Sequence, residues 1–243
     1  ELGALLVLEK HGWLDEVHTF VGVSVGAIIG LLLTCGYRVS EIIAEAADTN
    51  IFQDLSTVSL ADIRGNVGLV SNEPIKKKIR EQIIEVYGHV PTLHQLYLYT
   101  GIRFVAVSHN LDKEQVEYLS YETEPDMPCI DAVMLSMNIP LLFYKLKYKG
   151  CVYIDGAFGN PYPVDHYDDG ETQILGIYIR STSPQEKEPT DSSTTMYVHK
   201  TIQATMNELR RRIIEMTSPQ CRHIELKSPT VDSTGLSVNA DLK

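Results

Sequence analysis

The sequence predicts an α/β fold, with a central, mostly parallel or mixed sheet flanked by helices. Three observations carry this. Short β-rich runs alternate with segments of helical spacing along the chain. Its 243 residues suffice for one domain with a sizeable core. Its 44% apolar and 22% charged residues are the ordinary balance of a globular protein. The range 1–243 is accordingly read as a single domain. Residues 181–195, rich in Ser, Thr, Pro, Glu and Asp, read as a mobile surface loop.

Taken in order, Leu2 to Lys10 has helical spacing, with Leu2, Leu5, Leu6 and Leu8 mainly on one side, and His11-Gly12 ends it. Thr19 to Val23 is a β-rich run that breaks at Ser24. Gly26 to Thr34 is apolar nearly all round, which means a buried helix. Ser40 is the expected N-cap of a helix over Glu41 to Asp48. A polar, less regular stretch runs through Ser71. Asn72 then caps a helix from Glu73 to Tyr87, with Pro74 in its first turn. Thr92 to Tyr97 reads as a short helix, and Gly101 to Ser108 and Gln115 to Tyr121 as strands. Ile130 to Met137 should be helical, stopping before Pro140. Tyr148 to Ile154 is a strand ending at Asp155-Gly156. Gln173 to Ile179 is a strand, Met196 to Met216 a long helix, and Cys221 to Leu226 a last strand.

The formal net charge of -11 argues against nucleic acid as a partner, because phosphate binding needs a basic face. Local basic clusters exist at Lys76-Lys77-Lys78, at Lys145/Lys147/Lys149 and at Arg210-Arg211-Arg212. The plain reading of each is a solvated face; the other is a membrane-docking patch. Cys35, Cys129, Cys151 and Cys221 are scattered without metal-ligand spacing, so no metal and no cofactor is expected, and reduced thiols are the default. No secretory leader pattern is visible. Val21 to Gly36, the most apolar stretch, is shorter than the ~20 residues a membrane helix needs. A cytoplasmic location is expected, with peripheral contact to membranes. Composition says nothing of the oligomeric state.

Two short motifs point to chemistry. Gly22-Val23-Ser24-Val25-Gly26 has the GxSxG spacing. A serine on a tight strand-to-helix turn is forced into a strained backbone conformation, and glycines two before and two after remove side chains expected to collide there. Its hydroxyl would project at the N-terminus of the next helix, where N–H groups favour negative charge. Alone the pentapeptide is a weak signal, and a plain turn serine is the alternative. Asp155-Gly156-Ala157 places a carboxylate at the end of a strand, where α/β sheets carry their sites, although an ordinary Asp-Gly turn reads the same way.

In the order in which these motifs occur, the sequence resembles the patatin-like phospholipase family. The segment Phe20 to Gly30 is similar to that family's nucleophile turn, and Leu2 to Gly12 to its first helix. Ser136-Met-Asn-Ile-Pro-Leu-Leu-Phe resembles the block upstream of the catalytic Asp, and Tyr153-Ile-Asp-Gly-Ala-Phe-Gly-Asn-Pro-Tyr-Pro resembles the Asp block itself. The resemblance covers about the first two thirds of the chain. It implies a three-layer patatin-like fold and a Ser–Asp dyad, with Ser24 as nucleophile and Asp155 as general base. It also implies an acyl-enzyme intermediate, with Gly22, Val25, Gly26 and Gly156 supporting the turn and the oxyanion. The family's glycine-rich oxyanion loop is expected just ahead of residue 1, so the chain as given is expected to hydrolyse weakly or not at all.

The implied substrates are phospholipids or other acyl-ester lipids met at a membrane surface, handled by a phospholipase A or lysophospholipase type of hydrolase. Ile139, Leu141, Leu142, Phe143 and Phe158 are the apolar candidates near the cleft, with core packing as their alternative role. Three other readings stay open. One is an impaired, lipid-binding or regulatory module. Another is an acyltransferase. The third is a His-dependent thioesterase or esterase that would use His199 or His223, the late histidines.

Overall fold

The computed structural model describes residues 1–48, 68–181 and 194–228. These form two compact units, Leu2–Gly159 and a second running from Asn160 onward, to which Glu1 also belongs. The first is a mixed α/β unit whose central mixed sheet is flanked by helices.

That unit begins with α1 (Leu2–Lys10) and a 3-10 turn (Trp13–Glu16), followed by β1 (Thr19–Val23), α2 (Val25–Thr34) and α3 (Val39–Asp48). Helix α3 starts one residue ahead of Ser40, so Ser40 lies inside its first turn and does not cap it. The Val39 N–H donates instead to Glu9 Oε1, at 2.8 Å. Most of the polar stretch expected before Ser71 falls outside the described residues, but Gly68–Val70 forms a short strand, β2.

Helix α4 (Glu73–Tyr87) buries Ile75, Ile79 and Ile83, one side chain per turn on a single face. Each such burial contributes roughly 1.5–3 kcal/mol. Asn72 occupies the N-cap position without a side-chain cap bond, and Ser71 Oγ accepts from the Glu73 N–H instead. Helix α5 (Leu93–Thr100) opens on a complete capping box between Thr92 and Gln95.

The sheet continues through β3 (Arg103–Asn110) and β4 (Gln115–Leu119). Then come α6 (Cys129–Ser136), β5 (Leu141–Phe143), β6 (Leu146–Tyr148) and β7 (Cys151–Asp155). The run Tyr148 to Ile154, expected as one strand, is a hairpin. Lys149 and Gly150 both have positive φ, 48° and 84°, between the paired residues Tyr148 and Cys151. Such a two-residue turn matches the twist of the flanking strands.

Strand β3 organises the sheet. Its whole C-terminal half pairs with β4 along one edge. On the other edge β1 runs parallel to Arg103 through Val107, and β7 runs antiparallel along Ser108 through Asn110. Strands β1 and β7 thus share one edge of β3 and meet there C-terminus to C-terminus. A core of α2, α4, α5 and α6 side chains, including Leu31, Ile83, Leu96 and Val133, packs with Phe104, Ala106, Leu119 and Tyr153 of the strands.

The second unit pairs β8 (Ile174–Ser181) with β9 (Cys221–Ser228) in parallel through eight residues. A short helix, α7 (Val164–Tyr167), and the long α8 (Thr194–Met216) complete it around Tyr162, Val164 and Ile213. Of the surface loop expected over 181–195, residues 182–193 lie outside the described residues, Ser181 ends β8, and Thr194 opens α8.

Candidate active site

Ser24 stands between β1 and α2 with φ 56° and ψ -126°. For a residue with a Cβ this is a strained conformation, costing of order 1–3 kcal/mol. The strain follows from the local sequence. The chain must reverse at once from an extended strand into a helix that is mostly buried from Ala27 onward. Gly22 makes that possible: a Cβ there would lie 2.4 Å from backbone atoms of Gly26 and Ala27. Gly26 does not share this role. A Cβ on it would meet nothing within 4 Å, so the steric reason expected for the second glycine of the motif does not hold. The position is open space beside Ser24.

Asp155 is the last residue of β7 and is 3% exposed, while Ser24 is half-buried. The register explains their meeting. Val23 faces Val107, and Asp155 faces Ser108, the next residue of β3. The Ser24 hydroxyl comes close enough to the Asp155 carboxylate to lower its affinity for a proton. Asp155 Oδ1 also accepts from the Ala157 N–H at 2.9 Å. Burial pushes the Asp155 carboxyl up to about 6, against the opposing pull of the Ser24 hydroxyl and the Ala157 N–H. Gly156 is required at the junction, because a Cβ there would lie 2.1 Å from the Val107 carbonyl oxygen. Asp155 does end a strand, as expected, but that strand runs antiparallel to β3. It reaches the C-terminal end of β1 head-on and not as a neighbour along a parallel edge.

Polar side chains without an assigned role in the sequence hold this junction. Ser136, 0% exposed at the end of α6, accepts from the Ser24 N–H at 3.1 Å and donates to Val107 O at 2.6 Å. The Ser108 hydroxyl, on the strand between the two site residues, lies 3.0 Å from Leu135 O and 3.1 Å from Ile154 O. The Asn138 carbonyl accepts from the Asp155 N–H at 2.9 Å, and Asn138 Nδ2 donates to Tyr153 O at 2.9 Å. One signal was available for two of them: Ser136 and Asn138 are polar residues inside the otherwise apolar run from Ala132 to Phe143.

The other candidates are placed as follows. Phe143 is buried in the core, and Ile139 and Leu142 pack partly against it. Phe158 is half-buried in the 3-10 turn Gly156–Phe158. Val25 opens α2 and is exposed. His223, in the second unit, engages Tyr162 OH through Nδ1 at 3.0 Å and Thr217 Oγ1 through Nε2 at 3.1 Å. His199 lies in α8.

Among the described residues no group of three or more His, Cys, Asp or Glu could hold a metal ion, and all four cysteines are free. None of the described helices is long and apolar enough to cross a membrane. Most of the basic clusters are paired with acids. Lys76 meets Asp131 at 2.8 Å, Lys78 meets Glu45 at 3.1 Å, Lys149 meets Glu124 at 2.6 Å, and Arg211 and Arg212 share Glu208.

A strained serine thus stands on a strand-to-helix turn beside a buried aspartate. The family model described as patatin-like phospholipase matches residues 1–167. The chain belongs to the patatin-like phospholipase family. It is 32% identical over 170 residues to "Probable lipid hydrolase 463L" of Invertebrate iridescent virus 6, covering 68% of this chain and 57% of that protein. Over 161 residues it is 26% identical to the "Omega-hydroxyceramide transacylase" of Mus musculus, covering 65% of this chain and 24% of that one. The crystal structure of VipD from Legionella pneumophila aligns with a TM-score of 0.49 at 14% identity, over 96% of this chain and 61% of VipD. This patatin-like chain therefore spans little more than half of its viral relative and a quarter of its mouse relative.

Proposed function

We propose that this patatin-like chain carries the catalytic pair of a lipid acyl-ester hydrolase of the phospholipase A or lysophospholipase type. The observation that supports it most is the strand register that brings Ser24 and Asp155, remote in sequence, to adjoining positions on one edge of β3. Asp155 takes the proton from the Ser24 hydroxyl as Oγ attacks the acyl carbonyl carbon. The tetrahedral oxyanion collapses to an acyl-enzyme, and the departing alcohol takes the proton back from Asp155. A water molecule, deprotonated by the same carboxylate, then releases the fatty acid and restores the serine. The oxyanion needs donors, and the Ser24 N–H is already given to Ser136. The N–H groups of Val25 and Gly26, in the first turn of α2, have no acceptor within the helix and sit at its positive end. Half-buried Ile139 and Phe158 are the side chains offered to an acyl chain, and the substrate is met at a membrane surface.

The test is fatty-acid release from mixed phospholipid vesicles by the full-length protein. Ser24→Ala and Asp155→Asn are each expected to lower turnover about 10³-fold or more, and Ser24→Ala to abolish covalent labelling by a fluorophosphonate. Full turnover in both variants refutes the pair.

A second reading has its own support in the likeness to a protein named as a transacylase. The same acyl-enzyme can be opened by an alcohol instead of water. Adding a long-chain alcohol to the assay then yields a new ester at the expense of free fatty acid.

A further inference from the structure

Ser24 and Asp155 arrive from opposite directions on one edge of β3, so their spacing is not set by either strand alone. Two residues of one short segment touch the two sides. Ser136 accepts a hydrogen bond from the Ser24 N–H, and the Asn138 carbonyl accepts one from the Asp155 N–H. Both residues are buried, at 0% and 2% exposure, and Ser136 ends a helix buried along nearly its whole length. The hydroxyl of Ser136 is anchored in turn, donating to the carbonyl of Val107, the residue that faces Val23 across the β1–β3 ladder.

We propose that Ser136 is a positioning residue, the fixed end of a clamp over 136–138 that holds the strained Ser24 backbone and sets its distance to Asp155. This rests on the Ser24–Asp155 reading for its catalytic consequence, but its structural basis does not. At φ 56° and ψ -126° the Ser24 turn would relax if free to do so, carrying the hydroxyl away from the carboxylate. The Ser136 hydroxyl opposes that by tying the Ser24 N–H to the central strand. It touches the backbone of the nucleophile and not the reacting atoms, so it acts through Ser24. An anchored hydroxyl with one donor and lone pairs to spare is suited to this, because it satisfies an N–H and a C=O at once. Cysteine offers a weaker donor and acceptor, and alanine offers neither.

The experiment combines kinetics with a stability cycle in the full-length protein. Ser136→Ala is expected to lower kcat about 10- to 100-fold, as a displaced reacting group does, with KM changed less than about threefold. The fluorophosphonate labelling rate should fall in parallel. Ser136→Thr, which keeps the hydroxyl, should recover most of kcat. The acid limb of the pH–rate profile should move to higher pH, because a Ser24 hydroxyl that has drawn away no longer holds the Asp155 carboxyl down.

The stability cycle separates this proposal from the hydrolase reading. Glycine at position 24 adopts the turn without strain, so in a Ser24→Gly background the Ser136→Ala change should shift the denaturation midpoint clearly less than it does with Ser24 present. Equal shifts in the two backgrounds, or full kcat in Ser136→Ala beside an inactive Ser24→Ala, overturn the clamp. Full turnover in Ser24→Ala overturns the hydrolase reading and leaves the cycle to decide on the clamp alone.

Discussion

The two ends that meet on β3 bear different burdens. Ser24 is half-exposed and carries its cost in the backbone, at a positive φ. Asp155 has an ordinary extended backbone, φ -49° and ψ 133°, and carries its cost in solvation, as a carboxylate that is 3% exposed. Ser24 is mechanically strained but reachable from solvent, as the proposed nucleophile must be. Asp155 is relaxed but kept from water, which raises its affinity for a proton toward the range that the proposed base needs. Substitutions on the two sides should therefore fail in different ways.

The largest effects belong to the glycines that let the two ends approach. Gly22→Ala and Gly156→Ala each push a Cβ into backbone, and each should destabilise the fold by about 3–5 kcal/mol. Gly26→Ala, with open space at its Cβ, should stay within ~0.5 kcal/mol of the parent fold in chemical denaturation. If Gly26→Ala unfolds the protein as Gly22→Ala does, the asymmetry within the pentapeptide is wrong.

Next comes the buried carboxylate. Its pKa is raised from 3.8 to about 6, so folding favours its protonated form. Below about pH 4 both folded and unfolded chains hold the proton, and Asp155→Asn should be as stable as the parent. As the pH rises through 6 the parent loses stability while Asn does not. Asp155→Asn should then be more stable by about 3 kcal/mol at pH 7–8. Denaturation at pH 4 and pH 8 reads this directly. A constant difference across that range would mean that burial does not load the carboxylate. Turnover moves the other way, rising through about pH 6 as Asp155 ionises.

The smallest effect lies in the strained turn. Ser24→Gly should stabilise the fold by about 1 kcal/mol, because the relief of strain outweighs the extra freedom glycine has when unfolded. A loss of stability would place the cost of the site on the Asp155 side alone.

Much of this was legible from residues in a row. Thr19–Val23, the Ser24 break and the buried helix after it are local events, set by β-branched residues, small residues and an apolar run, and they stand where the pattern placed them. So does α4, whose isoleucines mark one face. Legibility failed where the deciding partner is distant or geometry is not periodic. Ser40 looked like a cap, but Glu9, 30 positions before Val39, accepts from the Val39 N–H where α3 starts one residue sooner. Tyr148 to Ile154 reads as one strand, but Lys149 and Gly150, at positive φ, turn the chain back between Tyr148 and Cys151.

The sequence by itself determined the candidates, a serine in a glycine-flanked turn and an aspartate before a glycine, and the family, matched over 1–167. Tertiary structure alone decided that β1 and β7 converge on one edge of β3 and that Gly156 is needed where Gly26 is not. It alone gave Ser136 and Asn138 a place at the junction. Composition and periodicity report on neighbours along the chain, whereas strand register and the closeness of two backbones arise only when segments far apart in sequence pack together.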